Sequence, residues 1–135
     1  MEFSIPVRVY IEDTDAGGIV FYVNYLKFME RARTEWLRSL GFDKAGANRE
    51  SFQFVVKSVD IQYYAPARLD DELEVSANLI KLGGASMKLM QEVHRGDEKL
   101  CSSEIELACV SGDKLKPVRI PSEMTKKINT IIEKE

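Results

Sequence analysis

The sequence predicts an α+β fold in which an antiparallel sheet wraps one long helix. Three observations lead there. Apolar residues recur at spacings of three and four between Tyr25 and Leu40. A period of two governs four later segments between residues 55 and 109. The intervals between those segments carry Gly, Pro and Asp at lengths suited to hairpins, so sequential strands are expected to be neighbours.

Taken in order, FSIPVRVYI at 3–11 is rich in β-branched and aromatic residues and reads as a strand, with Pro6 suiting an edge or bulge position. Tyr25, Phe28, Met29, Ala32, Trp36 and Leu40 form the apolar stripe of a helix that Gly41 is placed to end. Phe28 and Trp36 read as core. A short helical turn is expected around Lys44–Arg49. Val55, Val59, Ile61 and Tyr63 then alternate with Ser58, Asp60 and Gln62, Lys57 being the exception. The same alternation recurs at Leu73–Leu79, Met87–Val93 and Cys101–Cys109, and each reads as a half-buried strand. The separators are APARLDD at 65–71, LGG at 82–84 and RGDE at 95–98. A closing helix from Ser122 to Glu133 puts Met124, Ile128, Ile131 and Ile132 on one side. A long apolar-faced helix and a long sheet have a simple joint solution, in which the sheet hides the stripe.

The chain has 135 residues, of which 44% are apolar and 30% charged. At this length roughly two-thirds of the unfolded surface is buried, so a core forms without staples. No apolar run approaches the roughly 20 residues of a membrane span. The start MEFSIPVRVYIEDTD lacks the pattern of a secretory signal, and the expected location is the cytoplasm. Cys101 and Cys109 share one predicted strand, where eight residues at roughly 3.3 Å each set them about 26 Å apart, beyond disulfide reach. The net charge of −3, with mixed signs, argues against nucleic acid as a partner. The single histidine, His94, is far in sequence from any nucleophile, no closely spaced Cys/His set suggests a metal, and no glycine-rich nucleotide motif occurs.

What remains is DTDAGG at 13–18, just before the helix. Its plain reading is a cap and a turn, since Asp caps helices and Gly serves where φ must be positive. Its chemical reading is a reaction centre. Free N–H groups at a helix start carry partial positive charge and can hold a developing oxyanion, while a neighbouring carboxylate acts on the same electrophile. Asp13 suits a turn former better than a second catalytic acid. Glu30 and Glu35 stand at ion-pair spacing from Arg33 and Arg31 and read as solvated pairs.

The longer string DTDAGGIVFYVNYLKFMERARTEWLRSLG resembles the signature of the 4-hydroxybenzoyl-CoA thioesterase branch of the hotdog-fold superfamily, with its Tol-Pal-associated acyl-CoA thioesterases. The likeness continues through VKSVDIQYYAPARLDDELEV, LGGASMKLMQEV and KPVRIP. It implies one hotdog domain over 1–135 that hydrolyses an acyl-CoA thioester to a carboxylic acid and free CoA. Asp15 is implied as the catalytic carboxylate, acting as nucleophile or as general base toward water. The backbone N–H of Tyr22 is the implied oxyanion donor, with Gly17 and Gly18 shaping the loop. No metal or redox cofactor is implied. The partners implied are an acyl-CoA, or an acyl carrier protein as the alternative thioester carrier, and further copies of the chain in a homodimer or homotetramer with sites at subunit boundaries. Two positions depart from the pattern: many Tol-Pal-associated members have histidine at the position of Tyr22 and tyrosine at that of Ile11.

Candidate substrate contacts are Lys57, Lys81 and Lys88 for the phosphates of coenzyme A, Ser58 and Ser86 for the pantetheine arm, and Tyr25 and Val59 beside them. Lone lysines on sheets also serve as plain solvated charge. Two rival functions stand beside hydrolysis. One is an acyl-CoA or acyl-carrier-protein binding module without turnover. The other is a hotdog dehydratase, which would need a histidine partner that His94 is poorly placed to supply.

Overall fold

A computed structural model describes residues 3–42 and 52–134. Five strands, β1 (Phe3–Arg8), β2 (Gln53–Tyr63), β3 (Glu72–Leu82), β4 (Ser86–Arg95) and β5 (Glu98–Val110), form one sheet in the order β1-β3-β4-β5-β2. Every neighbouring pair is antiparallel. Helix α1 (Asn24–Ser39) lies against β1, β3 and β4, and α2 (Ser122–Lys134) closes the chain. This is the α+β, hotdog architecture that the periodicities and the resemblance led to. The expected turn at Lys44–Arg49 lies outside the described residues.

The stripe of α1 is buried as its spacing requires: Phe28, Met29 and Ala32 are fully enclosed, with Tyr25, Trp36 and Leu37 beside them. Each large apolar side chain so enclosed contributes about 1.5–3 kcal/mol relative to exposure. Opposite them stand Leu73, Val75 and Ala77 of β3, Met87, Leu89 and Val93 of β4, and Cys101, Ile105 and Leu107 of β5. Both cysteines are free and buried, and burial pushes the Cys101 thiol up to about 12. In α2, Met124 and Ile128 enter the core, whereas Ile131, expected beside them, is 42% exposed.

Three expectations need correction. First, the N-terminal strand stops at Arg8 rather than residue 11. Ile11–Asp13 form a single 3-10 turn, held where the Asp13 carboxylate accepts the N–H of Tyr10 at 2.9 Å. Secondly, β2 and β3 are not hairpin neighbours. The edge of β3 that a hairpin would use is taken by β1, from Phe3↔Ala77 to Arg8↔Glu72, so β2 joins β5 at the far edge and residues 65–71 are a crossover. Thirdly, β2 is not half-buried: Val56 and Val59 on its helix-side face are 49% and 40% exposed, and among the described residues α1 meets β2 at the strand's end, where Tyr25 packs against Tyr63.

Lys57, the exception in the alternation, sits at a β-bulge. Register shifts between Val56 and Ser58, so Val56 pairs with Leu107 on the helix side and Ser58 pairs with Glu106 on the outer side. An equivalent shift between Leu79 and Lys81 lets Leu82 face inward beside Met87.

Candidate active site

Asp15 opens a tight turn. Its N–H donates to the carbonyl of Ile19 at 3.0 Å, the N–H of Gly18 donates back to its carbonyl at 3.0 Å, and Thr14 bridges to Val20 below. Gly18 closes the turn with φ at +77°, the left-handed residue that ends a three-residue hairpin loop. The N–H of Gly17 donates to Asp15 Oδ1 at 2.9 Å. One carboxylate oxygen thus holds the turn. Among the described residues the other, Oδ2, accepts no hydrogen bond, and the side chain is exposed.

Neither acid caps α1. The N-cap position belongs to Val23, which has no side-chain cap. The main chain arrives there because the Asp13 carbonyl accepts both the N–H of Phe21 at 3.0 Å and Asn24 Nδ2 at 2.9 Å. The amides of Asn24, Tyr25 and Leu26 turn back onto the carbonyls of Phe21, Tyr22 and Val23. That leaves the N–H groups of Tyr22 and Val23 with no acceptor among the described residues, at the end of a helix where partial positive charge collects. Beside them lies an aromatic shelf. Phe21, Tyr22 and Tyr63 are 45%, 59% and 42% exposed, the rings of Tyr22 and Tyr63 meet edge to face at 6.0 Å, and the Tyr63 hydroxyl donates to the Tyr22 carbonyl at 3.2 Å.

Tyr25 is enclosed in the core, its hydroxyl accepting the N–H of Ala67 at 2.9 Å, and burial raises its pKa above the ordinary phenol value. Lys81, Lys88, Glu106 and Ser58 form one cross-strand row on the outer face of the sheet, and Lys57 reaches Glu106 at 3.9 Å from the adjoining bulge. Ser86 stands on that face too, opposite Ala108, while Val59 points to the helix side opposite Ile105. Among the described residues no hydrogen bond or ion pair joins Lys57, Ser58, Val59, Lys81, Ser86 or Lys88 to the Asp15 turn. His94 sits on the outer face with Nε2 2.9 Å from Glu92 Oε1. Arg33 is not in a solvated pair. It turns inward, Nη1 donating to Gln91 Oε1 at 3.0 Å, and burial lowers its pKa against the opposing pull of Glu30. Glu35 pairs with Arg38 rather than Arg31.

Sequence reasoning did not single out Ala67, Asp71, Arg95 or Gln91, which brace the site and the helix. Their only trace is a polar residue, Gln91, at an inward position of β4, and an acidic pair in the crossover.

Residues 17–102 match the profile of the thioesterase superfamily. The acyl-CoA thioesterase YbgC of Haemophilus influenzae is 45% identical over 123 residues, covering 90% of each chain. The acyl-CoA thioester hydrolase YbgC of Escherichia coli is 42% identical over 120 residues, covering 88% of this chain and 90% of that one. A crystal structure of a probable thioesterase from Bartonella henselae superposes with a TM-score of 0.80 at 33% identity, covering 89% of this chain and 98% of that one. With a sheet wrapped on a central helix and this degree of likeness along nearly its whole length, the chain belongs to the thioesterase superfamily.

Proposed function

We propose that the chain hydrolyses an acyl-CoA thioester, with Asp15 as the acting carboxylate and the amides of Tyr22 and Val23 as donors to the oxyanion. The observation that carries the reading is local. An exposed carboxylate with one unengaged oxygen and two helix-terminal amides without acceptors share one short stretch of chain. The names of the relatives supply the thioester and its carrier.

The chemistry follows from charge. As the carbonyl carbon is attacked, negative charge grows on its oxygen, and fixed amide dipoles stabilise that charge more than the neutral ground state. Asp15 Oδ2 either attacks the carbon, giving a mixed anhydride that water opens, or takes a proton from an attacking water. In both routes the C–S bond breaks, the thiol takes up one proton, and one water supplies the remaining hydroxyl to the carboxyl group whose carbon it attacks. A single turnover in ¹⁸O-water tests the anhydride route: opening at the Asp15 carboxyl carbon leaves the label on Asp15 and carries an Asp15 oxygen into the acid, whereas the general-base route puts the label in the acid alone. No metal or redox cofactor enters either route.

The reading includes a second copy of the chain. Among the described residues the outer edge of β2 is unpaired and Val56, Val59 and Tyr63 on its helix-side face are exposed, and an unpaired edge with an apolar face invites strand addition. A homodimer joined along β2 continues the sheet and covers that face.

Free-thiol release from a panel of acyl-CoAs tests the function. Turnover is expected on at least one, and Asp15→Asn is expected to lower it by about 100-fold or more. Saturable binding without thiol release would make the chain a binding module instead.

A further inference from the structure

The crossover at 65–71 touches the Asp15 turn and the first turn of α1 together. Val20 N–H donates to the Ala67 carbonyl at 2.8 Å, Leu69 N–H donates to the Gly18 carbonyl at 3.2 Å, and Ile19 bridges Arg68. From the other side, Ala67 N–H donates to the Tyr25 hydroxyl inside α1. The strip Ala67–Leu69 therefore spans the two parts of the site, carboxylate turn and helix end, that must keep a fixed separation.

One side chain sets the shape of that strip. Asp71 Oδ2 accepts the N–H of Arg68 at 2.8 Å and Arg95 Nη1 at 2.6 Å, and its backbone N–H donates to the Arg68 carbonyl at 3.1 Å. Arg95 Nη1 also reaches the Pro66 carbonyl at 3.2 Å, while Nη2 binds Glu98 at 2.7 Å. The rear of the segment is pinned to β1. Val9 N–H donates to the Asp71 carbonyl at 2.9 Å, and Asp70, at φ +70°, donates its N–H to the Val9 carbonyl and accepts Arg8 Nη1 at 2.8 Å.

We infer that the Asp71–Arg95 ion pair is a positioning device for the reaction, fixing the Asp15 turn relative to the amides of Tyr22 and Val23 through the strip Ala67–Leu69. The inference rests on the reading of Asp15 above. Asp71 and Arg95 touch no reacting atom in it. They act through the backbone of Ala67–Leu69, which bonds Gly18, Val20 and Tyr25 beside the reacting groups, and small misplacement of a reacting group costs up to about 100-fold in rate.

The test is steady-state kinetics on the best acyl-CoA of the panel, with a double-mutant cycle. Asp71→Ala and Arg95→Gln are each expected to lower kcat about tenfold or more while KM stays within about threefold. Glu98→Gln leaves the Asp71 contact intact and is expected to stay within about twofold of wild type. In the Asp15→Asn background, Asp71→Ala is expected to change residual turnover by less than about twofold, since nothing is left to position. Unchanged kcat in both single variants, or an equal loss with and without Asp15, overturns the inference while leaving Asp15 in its role. Undiminished turnover in Asp15→Asn alone removes that role, and the inference falls with it. If Asp71→Ala does not fold, Asp71→Asn, which keeps an acceptor for the Arg68 N–H but loses the charge, is held to the same criteria.

Discussion

At the scale of single residues, the site depends on backbone more than on side chains. Gly18 illustrates it: a β-carbon there meets no atom within 4 Å, so the whole cost of substitution is the left-handed backbone itself. Gly18→Ala is expected to lower stability by about 1–2 kcal/mol, read from the urea midpoint. The amides of Tyr22 and Val23 belong to the main chain as well, so tyrosine can stand where many relatives were expected to carry histidine without removing the proposed donor. The acidic turn was legible because Gly17 and Gly18 announce it and the helix stripe follows at once, whereas the role proposed for Asp15 within it came from the family resemblance. Its hydrogen bond from Gly17 was not, since Asp in that setting caps a helix or closes its own turn with equal ease.

Among elements, α1 is held to the sheet by a polar contact as well as by its stripe. Gln91, fully buried on β4, donates to the carbonyls of Met29 and Ser76 at 2.9 and 3.1 Å and accepts from Arg33. Gln91→Leu removes an acceptor from an inward-turned guanidinium and is expected to cost about 3 kcal/mol, measured by denaturant unfolding. The crossover is electrostatically fixed. Burial pushes the Asp71 carboxyl up, but the N–H of Arg68 and the guanidinium of Arg95 outweigh it, leaving the folded pKa below the ordinary carboxylate value. A depressed folded pKa gives stability that is fully present above the unfolded value, about 3.9, and lost as pH falls through the folded one. Between pH 6 and pH 3 the wild type is therefore expected to lose more unfolding free energy than Asp71→Asn, measured by urea denaturation at each pH. None of this pairing is visible locally, because Asp71 and Arg95 lie on different elements with no shared periodicity.

For the whole molecule, the open helix-side face of β2 sets the prediction. Val59→Asp puts a charge on the surface proposed to be covered by a second copy, and is expected to give a monomer by sedimentation with thiol release reduced at least about tenfold. A wild type that sediments as a monomer with full activity would remove the dimer from the proposal.

The sequence by itself determined which residues face inward: the stripe of α1, the alternation in β3 to β5, and the acidic glycine turn beside the helix are local patterns, and burial follows them. Only the tertiary structure decided which strands are neighbours, that Lys57 occupies a bulge, and that residues 65–71 cross over to grip the Asp15 turn. The physical reason is that side-chain period encodes a face, whereas the choice of hydrogen-bonding partner is settled by competition among distant edges, and β1 takes the edge of β3 that β2 would otherwise use.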